Sequence, residues 1–549
     1  MSLKYITLGL TLFGGLISGV SATSGPAIIP TNSGRIAGIV QNGIDVFKGI
    51  PFAAPPVGRL RWRAPQPVMS WAGVLATTQF KPACMQQGMY PPDAPTEPVS
   101  EDCLYLNIWK PAVQGPSSLP VMVWIYGGGL ENGSGAVPLY SGNVLAHKGV
   151  IVVTFNYRLG VFGFLALPQL TQESHQHSSG DYGLMDQIAA LRWVHENISA
   201  FGGDPNNVTV FGQSSGSISI SALTASPLTK GLFQRAIGES GGLFEPMTLV
   251  PELTLVGAEQ QGERFQARTG ATSLAALRAE PARDLMKIPF SADIIIDGYV
   301  VPRSPFETYR EGKANKVSLL VGWNADEGAW FLTNHRITVD NYRQTLDRSF
   351  PSLLVRLLAP SPGSNDESAR AAAVDFNTDM RFRWDMWTWA KLAVRREGDE
   401  VYVYEFARTS PYLPGSPYHG LGAAHGTEMP YVFDHLMAQA ATWNTSDFKL
   451  AQAMSSYWTN FAKTGNPNEP SLPEWPTFQL QQPRLMYFGL RLHAEPLEDT
   501  VPLRQISRVY ATARYLKRNW DLLVGLIGAF IVALIVTVVW LIKHRHRVS

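Results

Sequence analysis

A serine serves acyl transfer when its hydroxyl is lifted clear of the backbone and set beside a base. The stretch Gly212-Gln213-Ser214-Ser215-Gly216 has the residue types and spacing for this. It follows the β-branched run 208–211 and precedes a helical pattern from 217 onward, the strand–turn–helix setting that a G-x-S-x-G elbow requires. Glycines fit its two ends because side chains there would collide with the neighbouring strand and helix. The chemistry such a serine offers is attack on a carbonyl carbon with formation of a covalent acyl intermediate. A second match, Gly238-Glu239-Ser240-Gly241-Gly242, follows the short apolar stretch Ala236-Ile237. Pro246 and the lack of a helical period behind it leave Ser240 without a helix N-terminus, which makes it the weaker candidate.

The elements needed to position Ser214 are legible in outline. Short β-branched runs at 121–126, 150–157, 208–211, 317–321 and 401–406 predict buried strands. Between them lie helical patterns, the clearest at 184–197 with Leu184, Ile188 and Leu191 on one stripe. Strands alternating with helices predict an α/β fold, a mostly parallel central sheet covered by helices on both faces. In such sheets the chemistry gathers at the carboxyl edge of the strands.

The chain has 549 residues, 45% hydrophobic and 16% charged, with a formal net charge of +1. No linker-like stretch or charge run divides it, so one large domain is the simpler reading, and the charge gives no reason to expect nucleic acid as a partner. Residues 1–22 carry Lys4, an apolar run at 6–17 and Val20-Ser21-Ala22, the pattern of a signal peptide cut before Thr23. The run 522–542 contains no charge and is long enough to span roughly 30 Å as a helix. Trp520 and Trp540 flank it, and Lys543, Arg545 and Arg547 follow. These features predict a single-pass membrane protein: a catalytic domain at 23–510 on the extracytoplasmic side, a linker at 511–521, a transmembrane helix at 522–542 and a short basic tail at 543–549. The two cysteines, Cys84 and Cys103, are expected to pair in such a compartment, for roughly 3 kcal/mol of stability. No histidine pair lies near either of them, which argues against a metal site.

Further strings accompany the elbow: Phe47-Lys48-Gly49-Ile50-Pro51-Phe52-Ala53, Ser100-Glu101-Asp102-Cys103-Leu104-Tyr105-Leu106-Asn107, Trp124-Ile125-Tyr126-Gly127-Gly128-Gly129, Asn156-Tyr157-Arg158-Leu159-Gly160 and Phe201-Gly202-Gly203-Asp204-Pro205. With them the chain resembles the type-B carboxylesterase and cholinesterase family of α/β-hydrolases, from about Gly34 to about Phe488. The resemblance implies that the catalytic acid is Glu327, in Asp326-Glu327-Gly328, and the base His425, in His425-Gly426 with Glu428 nearby. The order Ser214, Glu327, His425 is that of α/β-hydrolases. The resemblance also implies an oxyanion hole from the backbone N–H groups of Gly128, Gly129 and Ser215, and a disulfide between Cys84 and Cys103. The implied activity is hydrolysis of a small-molecule ester through an acyl-enzyme, with no cofactor and no metal.

Two departures bear on the substrate. The family usually has Glu-Ser-Ala at the elbow, where this chain has Gln213-Ser214-Ser215, and the loop 84–103 contains no tryptophan. Both weaken the hold on a cationic group, so uncharged aryl or alkyl esters are expected over choline esters. The family also includes esterase-like adhesion ectodomains that have lost the nucleophile. Retention of Ser214, Glu327 and His425 together favours an enzyme. A lipase or polyester hydrolase shares the triad and differs only in pocket and lid.

Overall fold

The computed structural model describes residues 28–520, apart from 93, 96, 113–117, 397, 399 and 499, together with Leu522, Val524 and Leu534. Among these residues the centre is one eleven-stranded sheet. In chain order its strands are β1 (Ile39–Gln41), β2 (Ile44–Pro51), β3 (Tyr105–Pro111), β4 (Leu119–Ile125), β5 (Ile151–Phe155), β6 (Gly203–Gln213), β7 (Arg235–Glu239), β8 (Ser318–Asn324), β9 (Val401–Phe406), β10 (Arg484–Phe488) and β11 (Leu492–Pro496). Across the sheet the order is β11-β10-β9-β8-β7-β6-β4-β5-β3-β2-β1. The strands from β5 to β10 run parallel. Antiparallel pairs close both edges.

The five runs read from the sequence fall on β4, β5, β6, β8 and β9. Every residue of β5 is buried, and so is β6 from Val208 onward. A strand with no exposed side chain is covered on both faces, which is why such strands read as unbroken apolar runs. Parallel neighbours need a crossover, supplied between β6 and β7 by helix α1 (Ser215–Ala225). Cys84 and Cys103 form a disulfide that closes the loop between them.

The expected membrane-spanning helix, and with it the tethered extracytoplasmic placement, is corrected. Among the described residues no helix is long and apolar enough to cross a membrane. The run 522–542 lies outside the described residues except for Leu522, Val524 and Leu534, as does the signal peptide expected at 1–22. The last long helix, α2 (Val501–Arg518), is amphipathic: Leu503, Ile506 and Tyr510 are buried while its last turn carries Lys517 and Arg518. It continues through most of the stretch expected to be a linker. There Arg514 stacks on Phe306 at 3.5 Å and donates to the Phe244 carbonyl.

Candidate active site

Three loops at the carboxyl edge of the sheet converge. At the end of β6, Ser214 adopts φ 56° and ψ −126°, a left-handed conformation that costs a non-glycine residue about 1–3 kcal/mol. Its surroundings enforce it. The Ser214 N–H donates to the Glu239 carbonyl at 2.8 Å, and the Ile218 N–H donates to the Ser214 carbonyl at 2.9 Å. Gly216 is required because a Cβ there would sit on the Ile125 carbonyl oxygen. The turn carries the hydroxyl off the sheet edge toward His425.

Glu327 opens a short helix directly after β8, and His425 lies in the loop beyond β9. Glu327 Oε2 is 2.6 Å from His425 Nδ1, and His425 Nε2 is 2.8 Å from Ser214 Oγ. The carboxylate is fully buried and the imidazole is 3% exposed. An acceptor-only carboxylate at Nδ1 places the ring proton there and leaves Nε2 free to accept from the serine hydroxyl. The ring is held by Phe382, stacked at 4.4 Å, and by Phe331 at 5.6 Å.

Asn324 and Asp326 tie the acid turn to the histidine loop. The Asn324 backbone N–H donates to Glu327 Oε1 at 2.8 Å, and its side-chain amide donates to the Ala424 carbonyl at 2.8 Å and to Glu428. Asp326 Oδ2 accepts from the Ala423 N–H at 2.8 Å. Sequence reasoning missed Asn324 altogether. The one available signal was an amide-bearing residue at a strand end, three places before the acid.

After β4 the chain turns through Gly127, Gly128 and Gly129, the last two at φ 109° and 66°. Among the described residues no acceptor takes the N–H of Gly128 or Gly129. The Leu130 N–H donates to Ser215 Oγ at 3.2 Å, so the hydroxyl that replaces the family's alanine pins this loop to the elbow. The two glycine N–H groups and that of Ser215, at the N-terminus of α1, are the donors available to a developing oxyanion. Ser240 is fully buried at φ 57° past β7, with no helix directly behind it and no hydrogen-bond partner for its hydroxyl among the described residues. It is not joined to His425.

This geometry can run a covalent acyl transfer, and the comparisons agree in kind. A sequence profile described as the carboxylesterase family matches residues 25–503. The chain belongs to the carboxylesterase family. It is 39% identical over 478 residues to the fumonisin B1 esterase of Sphingopyxis macrogoltabida, covering 84% of this chain and 86% of that one. It is 37% identical over 471 residues to the para-nitrobenzyl esterase of Bacillus subtilis (strain 168), covering 82% and 92%. A solved structure of PNB esterase superposes with a TM-score of 0.76 at 34% identity, over 87% of this chain and 99% of that one. The likeness extends to the acetylcholinesterase of Bungarus fasciatus, 32% identical over 530 residues, covering 88% and 85%. The protein is a carboxylic ester hydrolase with an α/β-hydrolase fold.

In this carboxylesterase Gln213 is fully buried and bridges two loops. Its Oε1 accepts from the Tyr90 hydroxyl at 2.9 Å, and its Nε2 lies 3.4 Å from His425 Nε2. Tyr90 belongs to the disulfide-closed loop. That loop, which lacks a tryptophan, thus contributes a tyrosine to the site, and sequence reasoning passed over it.

The esterase also holds a buried carboxyl that its triad does not use. Burial, followed by the nearby Glu327, pushes Glu428 up to about 8 against the opposing hydrogen bond from Asn324. The unfolded chain releases this proton near the ordinary glutamate value of about 4.3. Between that value and about 8 the native state therefore binds more protons than the unfolded one, and stability falls as pH rises across this window. Glu428→Gln, which mimics the protonated form, should flatten the fall. Denaturant unfolding at pH 5 and pH 8 should show the variant gaining on the wild type at the higher pH. An equal pH slope in both proteins would exclude Glu428 as its source.

Proposed function

We propose that this enzyme hydrolyses uncharged aryl or alkyl carboxylic esters through Ser214, His425 and Glu327, within a catalytic domain spanning 23–510. His425 Nε2 takes the hydroxyl proton as Ser214 Oγ bonds to the ester carbonyl carbon. The N–H groups of Gly128, Gly129 and Ser215 bind the oxyanion of the tetrahedral intermediate. The intermediate collapses as His425 returns the proton to the departing alcohol oxygen. Water, deprotonated by the same imidazole, then attacks the acyl-enzyme and releases the acid. Glu327 holds the useful tautomer and stabilises the imidazolium.

The observation that carries this reading is the continuous chain Glu327–His425–Ser214, with contacts of 2.6 and 2.8 Å in a site whose acid and base are buried. The preference for uncharged over cationic esters rests on the neutral, internally bonded Gln213 beside the nucleophile. The name of one relative, para-nitrobenzyl esterase, points to an uncharged aromatic alcohol portion as well. A fluorophosphonate probe should label Ser214 and leave Ser240 unmodified, as read by mass spectrometry of the digested adduct. A label on Ser240, or on neither serine, would overturn the assignment.

A further inference from the structure

One side chain near the imidazole carries a charge that no carboxylate among the described residues pairs with. Residues Asp379–Arg383 form a π-helical turn between the helices Asp366–Thr378 and Trp384–Ala393. Such turns re-aim the side chains around them and recur at functional sites. Here the turn lays Phe382 on His425 and brings the Arg381 guanidinium carbon 4.5 Å from the centre of the Phe331 ring and 4.9 Å from that of Phe350. Phe331 is in turn 5.6 Å from His425, centre to centre, so the guanidinium is no farther from the imidazole than those two steps combined.

Four other buried or half-buried arginines have carboxylates: Arg61 has Glu101, Arg158 has Asp186, Arg383 has Asp379 and Arg408 has Asp447, whereas Arg235 and Arg514 bond to the Asn207 side-chain oxygen and the Phe244 carbonyl. Arg381 has an amide. Its Nε donates to Asn377 Oδ1 at 3.2 Å, and among the described residues no carboxylate pairs with it and no acceptor meets its terminal nitrogens. Burial works against its charge and no acidic neighbour offsets that, yet a guanidinium stays protonated. Two aromatic rings lie 4.5 and 4.9 Å from the guanidinium carbon, and the N–H groups of a guanidinium point outward in its plane, the direction from which a carboxylate binds with two parallel hydrogen bonds. A partly desolvated, unneutralised cation is unfavourable on its own and becomes favourable when an anion arrives.

We propose that Arg381 is a specificity-determining residue that binds a free carboxylate on the substrate, so that half-esters of dicarboxylic acids are taken in addition to plain aryl and alkyl esters. The inference rests on the esterase site described above. The test compares the 4-nitrophenyl half-ester of glutaric acid with the same ester whose far carboxyl is a neutral primary amide. In the wild-type enzyme kcat/KM should favour the carboxylate ester, and added salt should shrink the advantage. Arg381→Gln should lower the ratio of the two kcat/KM values by about tenfold or more, chiefly through KM, the scale expected for hydrogen bonds to a charged group. Arg381→Lys, which keeps the charge and loses the fork, should recover part of it. A ratio that does not move, or equal losses on both esters, would overturn the proposal.

Glutarate itself supplies an arm that needs no variant. It should inhibit the wild-type enzyme competitively and about tenfold more tightly than glutaramide, and equal inhibition by the two would overturn the proposal. Failure here is separable from failure of the triad reading. A fluorophosphonate label on Ser214 with an unchanged ester ratio removes Arg381 alone, whereas a label elsewhere with a changed ratio removes the triad assignment alone.

Discussion

Replacing Glu327 by glutamine should lower kcat about ten-thousand-fold while KM changes little, the scale seen when the acid of such a triad becomes an amide. The size follows from the hydrogen bonds on either side of the carboxylate. Glu327 Oε1 accepts from the Asn324 backbone N–H at 2.8 Å, and Oε2 faces His425 Nδ1 at 2.6 Å. A glutamine must keep its carbonyl oxygen on the Asn324 N–H, because two donors cannot face each other in a buried site. Its NH2 then points at Nδ1. The imidazole can satisfy that donor only by presenting Nδ1 as an acceptor, which moves the ring proton to Nε2 and aims it at Ser214. The base is then in the wrong tautomer for its task. Turnover of a nitrophenyl ester should be normalised to folded protein measured by circular dichroism. A loss smaller than tenfold would show that Glu327 does not set the tautomer.

How far the sequence leads depends on the range of the interaction. The elbow was legible because its requirements are local: a β-branched strand, two glycines without room for a Cβ, and a helix behind. The strands β4, β5, β6, β8 and β9 were legible because burial on both faces leaves an uninterrupted apolar run, whereas β7 between them is cut short by Gly238 and Glu239. The strands β2 and β3 were not picked out, since Lys48 and Gly49 break the pattern of one and Asn107 the other. Asn107 is a buried polar residue whose amide donates to Thr154 at 3.1 Å and whose oxygen accepts from the Gly49 N–H at 2.9 Å. No periodicity marks such a residue. Tyr90, Asn324 and Phe382 meet in space from segments separated by tens to hundreds of positions, and only the topology brings them together. At the far end of the chain hydropathy gave no sign of local structure: most of the stretch 511–521 belongs to the helix Val501–Arg518, which uses Arg514 as a clamp on Phe306 and the Phe244 carbonyl.

The other large effect is expected at the glycine loop. Gly128→Ala should reduce kcat by about a hundredfold to a thousandfold, the usual consequence of losing one oxyanion donor. Gly128 has φ 109°, a conformation that side chains rarely adopt, and a Cβ there would lie on the Asn132 carbonyl and 3.0 Å from the Tyr90 Cβ. Neither neighbour can give way cheaply. The Glu131 and Asn132 N–H groups close back on the Gly128 carbonyl at 3.1 and 3.0 Å, and the Leu130 N–H is tied to Ser215 Oγ. Relief must therefore come from rotating the peptides on either side of residue 128, and those peptides carry the N–H groups proposed to bind the oxyanion. The added strain, about 1–3 kcal/mol, lowers stability as well, so loss of fold has to be separated from loss of catalysis. Ser215→Ala provides the control. It removes the pin to Leu130 and the side-chain contact with Tyr157, at a cost of about 1 kcal/mol for each hydrogen bond, and keeps all three backbone donors, so its kcat should fall far less than that of Gly128→Ala. Reaction with a fluorophosphonate reports on the same donors, since its phosphoryl oxygen needs them too, and labelling of Gly128→Ala should slow in step with kcat. Folded Gly128→Ala that turns over and labels within threefold of wild type would mean that the oxyanion is held elsewhere.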